Sequence, residues 1–222
     1  MLPIEYLAVI SKIENALVER LRQGLGKLVN SVKSYAGELD DESIGVARLP
    51  AVLVTYGGSR IERKDTRAYR HKTTDNFVII VAVRSLKSNQ TARQGGVDSR
   101  EIGVNQLISA VRRLLDAQTL NQLVYPLNPK RVRTIFNNAQ FRHDKITAYA
   151  IEYEVAYDDV PPLADGFFPE VTEDKNSPDY VFNAYQGVLS ESLPNLERVV
   201  GKIIDPITKD FVAIHIETKE KE

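Results

Sequence analysis

A long cationic insertion between two apolar segments constrains the fold of this chain more than any other feature. Residues 49–56 and 76–83 are apolar and rich in β-branched side chains, so both predict strands. Adjacent antiparallel strands need a connection of only about two to five residues, yet residues 57–75 separate these two. The insertion is either a reaching arm or a disordered loop, and we expect it to contact something outside its own core. Its six cations are Arg60, Arg63, Lys64, Arg67, Arg70 and Lys72.

Composition narrows the class of protein. The chain has 222 residues, 43% hydrophobic and 27% charged, which suits one globular domain with an appendage or two small domains. It has no cysteine, so disulfides, thiolate metal sites and cysteine nucleophiles are excluded. No apolar run approaches the roughly 20 residues of a membrane span, and residues 1–6 lack the order of a signal peptide. We therefore expect folding in the cytoplasm and no contact with a membrane.

Charge is balanced overall but uneven along the chain. The formal net charge is −1, whereas residues 60–100 hold ten cations against four anions and residues 152–179 hold nine anions against one lysine. A basic region and an acidic region allow copies of the chain to bind head to tail, although both can equally be solvated faces. Besides the insertion, the candidate partner contacts are Arg93 and Arg100 in a second loop and, for a subunit interface, the acidic set Asp158, Asp159, Glu170, Glu173 and Asp174.

The order of predicted elements indicates an α+β fold. Apolar residues at helical spacing predict helices over residues 4–24 and 100–117, the second capped by Asp98 or Ser99. Strands are predicted over residues 28–39, 49–56, 76–83, 131–136 and 149–157. The run 76–83 is apolar throughout, as expected of a strand covered on both faces. The order α-β-β-β-α-β-β predicts a mixed, mainly antiparallel sheet flanked by two helices.

The C-terminal region has a different texture. Pro161 and Pro162 break the alternation of the last strand, and residues 164–179 are acidic and aperiodic. We therefore predict a core domain over residues 1–159 and a C-terminal extension over residues 160–222. The extension is predicted to hold a short helix at residues 193–200 and a hairpin over residues 201–217. An isolated hairpin is marginal in water, so this one must dock on the core or on another chain.

No combination of residues suggests catalysis. The three histidines, His71, His143 and His215, fall in a loop, a turn and a terminal strand, outside any metal-ligand spacing. No nucleophile, base and orienting group can be assembled from the motifs, so we expect no enzyme, no metal and no cofactor. The basic insertion can bind a protein, bind nucleic acid through its cations and Tyr69, or remain an inert loop.

Packing and turn patterns link the core to a known family. They lie in the second helix and in residues 13–21, 32–41, 49–54, 77–84, 93–96 and 148–153. These segments resemble the Mu-like phage and prophage family of small tail proteins, and the likeness covers residues 4–159. It therefore leaves out the C-terminal extension.

The resemblance implies a tail terminator of a contractile-tailed phage. Such a structural protein forms a ring, usually six-fold, that caps the tail tube, ends polymerisation of tube and sheath, and offers the docking surface for the head neck. Its partners would be copies of itself, the tube protein, the sheath protein and the head-neck connector, with DNA passing through the ring lumen. It would assemble in the host bacterial cytoplasm and reside in the tail or neck of the virion. A head-completion or neck connector protein is the alternative, and a nucleic-acid-binding module is a more distant one.

The terminal hairpin suggests a further contact within that role. Because contractile sheaths are generally laced by strands exchanged between subunits, we expect the hairpin to supply strands to the last sheath ring. The residues for this exchange are Ile203, Ile204, Phe211, Val212, Ile214 and Ile216.

Overall fold

The computed structural model of the protein describes residues 8–35, 49–64, 71–84, 102–135, 146–190, 198–204 and 211–217, the last two by their backbone. The chain divides into two compact units, Met1–Pro162 and Leu163–Glu222. The first unit holds a five-stranded sheet, and the second holds a separate two-stranded one.

The five-stranded sheet confirms the predicted α+β class. Its strands are β1 Ser31–Ser34, β2 Ala51–Arg63, β3 His71–Arg84, β4 Asn128–Thr134 and β5 Ile146–Asp158. They lie in the order β1-β2-β3-β5-β4, and β1 runs parallel to β2 while the other pairs are antiparallel. The sheet is therefore mixed and mainly antiparallel. The long strands β3 and β5 form its centre and pair over their whole length.

Two helices cover one face of this sheet. Helix α1 spans Val9–Leu25 and helix α2 spans Val104–Leu115, and each buries a stripe of apolar residues at helical spacing. These stripes pack against alternate residues of the central strands, such as Phe77, Ile79 and Ile151, to form the main core. We call this face of the sheet the helix face.

The opposite face holds a second, smaller cluster. Leu53 and Ile80 are buried there against Tyr35, Val78 and Ile135. Because β3 contributes buried residues to both clusters, the prediction that residues 76–83 are covered on both faces is confirmed.

The helix boundaries differ from the prediction at three ends, one of which is the end of α2, at Leu115 and not at residue 117. Helix α1 ends at Leu25, one residue beyond the predicted end, and its predicted first turn lies outside the described residues. Helix α2 begins at Val104, so the start predicted at residue 100 is wrong. The Gly103 N–H donates to Gln106 Oε1 at 3.2 Å, which satisfies one of the free N–H groups at the helix start. The predicted caps, Asp98 and Ser99, lie outside the described residues.

The bounds of all five strands differ from the prediction: β2, β3 and β5 are longer than predicted, β1 is shorter within the described residues, and β4 begins and ends earlier. Residues 26–28 form a 3₁₀ turn, so the described part of the strand predicted at 28–39 shortens to β1. Strand β4 begins at Asn128, three residues before the predicted start, and its register with β5 shifts between Pro129 and Arg131. Proline has no N–H to donate to a neighbouring strand, so in sheets it occurs on edge strands or at bulges. The strand-like sequence pattern of β4 is therefore recognisable only after Pro129.

The second unit contains a short helix and the predicted hairpin. Helix α3 spans Tyr180–Ala184, which the sequence analysis did not predict. Strands β6 Arg198–Ile204 and β7 Phe211–Glu217 pair antiparallel, so the hairpin is confirmed. The helix predicted at residues 193–200 is wrong for 198–200, which begin β6, and residues 191–197 lie outside the described part of the chain. The β-branched Val199 and Val200 favour a strand at this position.

Candidate functional site

The cationic insertion is a paired extension of two strands. Beyond the predicted strand end at residue 56, β2 continues to Arg63, and β3 already begins at His71. Five pairs, from Ser59 with Asp75 to Arg63 with His71, join the two strands. The prediction of a connection over residues 57–75 is therefore wrong except at 65–70, which lie outside the described residues. We call residues 57–64 and 71–76 the hairpin arm.

A bulge separates the arm from the central part of the sheet. The register of β2 against β3 shifts between Tyr56 and Ser59. Gly58, inside the bulge, has φ +105°, a conformation that side chains with a Cβ rarely adopt. Bulges bend a strand and increase its twist, so the sequence Gly57-Gly58 sets the direction in which the arm leaves the core.

A buried carboxyl group lies at the root of the arm. Asp75 is fully buried, and Ser59 Oγ donates to its Oδ1 at 2.5 Å, while the Tyr56 hydroxyl lies 2.5 Å from the same Ser59 oxygen. The second oxygen, Oδ2, has no hydrogen-bond partner. Burial raises the pKa of Asp75 above its usual value, and the Ser59 and Tyr157 hydroxyls oppose that shift in part. The pKa of Tyr157 is raised as well, first by burial of its phenol and then by the negative charge of the neighbouring Asp75.

Several cations of the arm have partners within the chain. Lys64 Nζ lies 2.7 Å from Asp158 Oδ1, and Arg60 Nη2 lies 2.6 Å from Glu62 Oε1. Lys72 Nζ lies 5.5 Å from the centre of the Tyr125 ring. The hydrogen bond from Lys64 lowers the pKa of Asp158, and a second one, from the Tyr125 hydroxyl at 3.0 Å, lowers it further. These exposed pairs exchange readily with other partners because surface ion pairs contribute little free energy.

The remaining predicted cations are only partly described. Arg63 ends β2 and is exposed. Arg67, Arg70, Arg93 and Arg100 lie outside the described residues. The structure therefore brings Arg60, Arg63, Lys64 and Lys72 together on one hairpin, and the role of the second loop stays a prediction.

A charged groove on the sheet face opposite the helices was missed by the sequence analysis. Glu152 Oε1 accepts hydrogen bonds from Arg133 Nε at 2.7 Å and Arg131 Nη2 at 3.0 Å, and these arginines lower the pKa of Glu152. Lys130 Nζ lies 2.8 Å from Glu154 Oε2. The groove has a volume of about 760 Å³ and extends to the arm at Arg60. Its sequence signal is the alternation of charges at 131 and 133 and at 152 and 154, which places each set on one face of its strand.

The predicted acidic set is divided between the two units. In the first unit, Asp158 binds Lys64, and Asp159 accepts a hydrogen bond from Thr73 Oγ1. In the second unit, the Glu170 N–H donates to Asp179 Oδ2, and Asp174 Oδ1 accepts from the Asn176 N–H. Glu173 is exposed. The assignment of these residues to a subunit interface stays a prediction.

The predicted sheath contacts lie on both strands of the terminal hairpin. Ile203 and Ile204 pair with Val212 and Phe211, Ile214 pairs with Gly201, and Ile216 pairs with Val199. The backbone places them on a two-stranded sheet of seven residues a strand. Their part in strand exchange stays a prediction.

Among the described residues, no group of three or more His, Asp or Glu side chains is arranged to hold a metal ion. The described helices include none with the length and apolar character required to cross a bilayer.

The fold and its charged surfaces define a class: a small α+β protein with two helices on one face of a mixed sheet and a cationic β-hairpin extending that sheet. The family model described as "Bacteriophage Mu, Gp37" matches residues 9–158. The chain therefore belongs to this bacteriophage Mu family, and the resemblance to Mu-like phage proteins is confirmed. The match begins with α1 and ends with β5, so it covers the five-stranded sheet and leaves out the second unit. No curated protein matches the chain. Family membership fits a phage structural protein located in the virion.

Proposed function

We propose that this phage protein is a tail terminator, a structural and non-catalytic subunit that forms a ring on the finished tail tube. The ring ends polymerisation of tube and sheath and presents the docking surface for the head neck. Its partners are further copies of the chain, the tube protein, the sheath protein and the head-neck connector. DNA then passes through the lumen of the ring, in the tail or neck of the virion.

The hairpin arm is the observation that carries this proposal. Strand β1 pairs with β2 only along Ala51–Val54, and no described strand pairs with that edge of β2 beyond Val54. Among the described strands, this edge of β2 along the arm is therefore open, and it lies next to exposed cations. The outer edge of β4, on the opposite side of the sheet, has no described partner either. Two different open edges suit a ring because its contacts join unlike surfaces of successive subunits.

The charges of the arm favour a protein partner over DNA. Glu62 lies between Arg60 and Arg63, and Lys64 and Arg60 have carboxylate partners within the chain. A surface that binds DNA concentrates unopposed cations on the phosphates. A surface whose cations are interrupted by a carboxylate is better suited to a protein partner than to a row of phosphates.

Purified tail tubes of the same phage test the proposal. Mixed with growing tubes, the protein is expected to bind one end and stop elongation, so that electron micrographs show capped tubes of fixed length. The double variant Arg60→Ser, Arg63→Ser should weaken capping severalfold. The control is the double variant Lys27→Ser, Arg113→Ser, which removes two exposed cations outside the arm and should leave capping unchanged. Tubes that continue to grow in the presence of the unaltered protein would refute the terminator function.

The same preparations separate the alternatives. A head-completion or neck connector protein would bind filled heads and leave tube elongation unaffected. A nucleic-acid-binding module would bind DNA with an affinity that falls steeply with salt concentration. The first result would identify a neck connector and the second a nucleic-acid-binding module, and either would contradict the terminator function.

The terminal hairpin gives the proposal a second, separable test. We infer that β6 and β7 contribute strands to the last sheath ring, because a two-stranded sheet alone is marginal in water and gains stability by pairing further. Deletion of residues 201–222 should leave tube capping intact and abolish sheath attachment. Sheath attachment by the truncated chain would show that the hairpin has another role.

A further inference from the structure

The second unit exposes an unusual concentration of large apolar side chains. Between residues 163 and 190, seven of them are between 46% and 76% exposed, whereas the described residues before 163 contain six. The seven are Leu163, Phe167, Phe168, Val171, Phe182, Tyr185 and Val188. Single exposed apolar residues are ordinary on a protein surface, but a concentration rich in aromatic residues marks an interaction surface.

This segment is ordered by its own hydrogen bonds. The Ser190 N–H donates to the Pro169 carbonyl at 2.9 Å, and the Phe168 N–H donates to Ser190 Oγ at 3.0 Å, which joins residues 168–169 to the end of the segment. Asn183 Nδ2 donates to the Thr172 carbonyl at 3.2 Å, which ties α3 to the preceding loop. Aromatic side chains held outward on an ordered backbone lose little entropy on binding. We call residues 163–190 the acidic knob.

The knob carries a net negative charge. It contains five carboxylates and one lysine, which gives 1 − 5 = −4. The carboxylates are Asp165, Glu170, Glu173, Asp174 and Asp179. A matching surface must therefore be basic and must offer apolar area to the aromatic side chains.

The hairpin arm has both properties. Its residues 57–64 and 71–76 hold four cations and two carboxylates, which gives 4 − 2 = +2 when histidine is neutral, and one of those carboxylates is the buried Asp75. Ile61 is 65% exposed, and Tyr56 next to the arm is 37% exposed. Tyr56 and Ile61 lie opposite Phe77 and Thr73 of β3, so both are on the helix face of the sheet. The arm thus presents two exposed apolar side chains on one face of the hairpin that also carries its cations.

We propose that the acidic knob of one copy of this chain docks on the hairpin arm of a second copy. Both surfaces expose apolar side chains in the single chain. The knob is net negative and the arm net positive, so contact between them would bury apolar area and bring opposite charges together. Because the two surfaces differ, the contact is heterologous and can repeat around a closed ring. The inference rests on the proposed terminator function, for which it adds a contact between neighbouring subunits to the two open strand edges.

The absence of cysteine in the chain permits a direct crosslinking test. Full-length chains carrying Ile61→Cys are mixed with full-length chains carrying Phe168→Cys and then oxidised. The expected product is a disulfide-linked pair of the two different chains, and its yield should fall when the oxidation is carried out at higher salt concentration. Leu28→Cys, on an exposed residue outside the arm, replaces Ile61→Cys in the matched control. A yield no higher than that of the control would overturn the proposal.

Exchange of charge between the two surfaces gives an independent test. Chains with Arg60→Glu and Arg63→Glu, which gives the arm a net charge of 2 − 4 = −2, or with Asp165→Lys, Glu170→Lys and Glu173→Lys, which gives the knob −4 + 6 = +2, should each lose self-association in sedimentation experiments. A mixture of the two variants should recover it, because each reversed surface then meets a surface of opposite charge. Failure of the mixture to recover would contradict the pairing of knob and arm.

The two proposals fail in different ways. If the unaltered protein caps tail tubes but the crosslink and the charge exchange give no signal, the knob–arm contact is wrong and the terminator function stands. If the crosslink forms and the unaltered protein leaves tube elongation unchanged, the contact stands and the terminator function is wrong.

Discussion

Ser59 Oγ and Asp75 Oδ1 lie 2.5 Å apart across the β2–β3 pair, directly after the bulge that begins the hairpin arm. This hydrogen bond joins the first pair of the arm to a carboxyl group that is fully buried and whose other oxygen has no partner. An ionised carboxylate is costly at such a position. The root of the arm is therefore the part of the described structure where we expect stability to depend most clearly on pH.

Replacement of Asp75 by asparagine should change that dependence. Burial raises the pKa of Asp75 in the folded chain, so the protonated form is favoured and the free energy of unfolding falls as pH rises through the folded pKa. Asp75→Asn accepts the same hydrogen bond from Ser59 and cannot ionise. The free energy of unfolding of Asp75→Asn, relative to that of the natural chain, should therefore rise by roughly 1 kcal/mol from acidic to neutral pH. Urea unfolding at several pH values measures this difference. A constant difference at all pH values would contradict the assignment.

Glu152 should show the opposite pH dependence. Its hydrogen bonds to Arg131 and Arg133 lower its pKa, so its contribution to stability is present above the unfolded pKa and is lost as pH falls through the folded pKa. Glu152→Gln should lower the free energy of unfolding by about 1 kcal/mol at neutral pH, and the difference should vanish in acid. Glu154→Gln, whose partner Lys130 forms a more exposed pair, is the control and should have a smaller effect.

The sequence predicts the core of this fold well because periodicity carries the information. The alternation of Tyr149, Ile151, Tyr153 and Val155 and the helical stripe of α2 each bury one face, and both elements appear in the structure. Periodicity fails along the hairpin arm, where residues 59–63 and 71–75 are mostly polar. Their strand conformation comes from pairing with neighbouring strands, which a local pattern does not contain.

The candidate surfaces also divide into features that a local sequence pattern contains and features that depend on contacts between distant segments. The cations of the arm are visible in the sequence as a cluster, so their proximity was predicted, whereas their position on two paired strands was not. The buried Asp75 and the pairing of Glu152 with Arg131 and Arg133 depend on register between strands distant in sequence. The exposed aromatic residues of the knob, such as Phe168 and Tyr185, look in the sequence like potential core residues, and only the structure shows that they are uncovered.

Tyr153 should be important for joining α2 to the sheet. It is fully buried on β5, and its hydroxyl donates to Asp116 Oδ1 at 2.7 Å, directly after the last turn of α2. Tyr153→Phe removes that hydrogen bond to a charged group and should cost about 1.5–3 kcal/mol, measured by denaturant unfolding. The control is Tyr125→Phe. The Tyr125 hydroxyl donates to Asp158 at 3.0 Å on the surface, so its removal should lower the free energy of unfolding much less. Equal losses would show that burial of the Tyr153 hydroxyl adds nothing.

Gly58 should be the position in the arm that least tolerates a side chain. Its φ of +105° lies in a region where residues with a Cβ are strained, although no heavy atom lies within 4 Å of the Cβ that alanine would add. Gly58→Ala should therefore lower the free energy of unfolding by roughly 1–3 kcal/mol through the backbone alone, or else change the bulge and misdirect the arm. Arg60→Ala, at an exposed site beyond the bulge, is the matched control and should leave unfolding by urea nearly unchanged. Since the direction of the arm depends on the bulge, Gly58→Ala should also reduce capping of tail tubes, and a variant with full stability and full capping would show that the bulge does not need glycine.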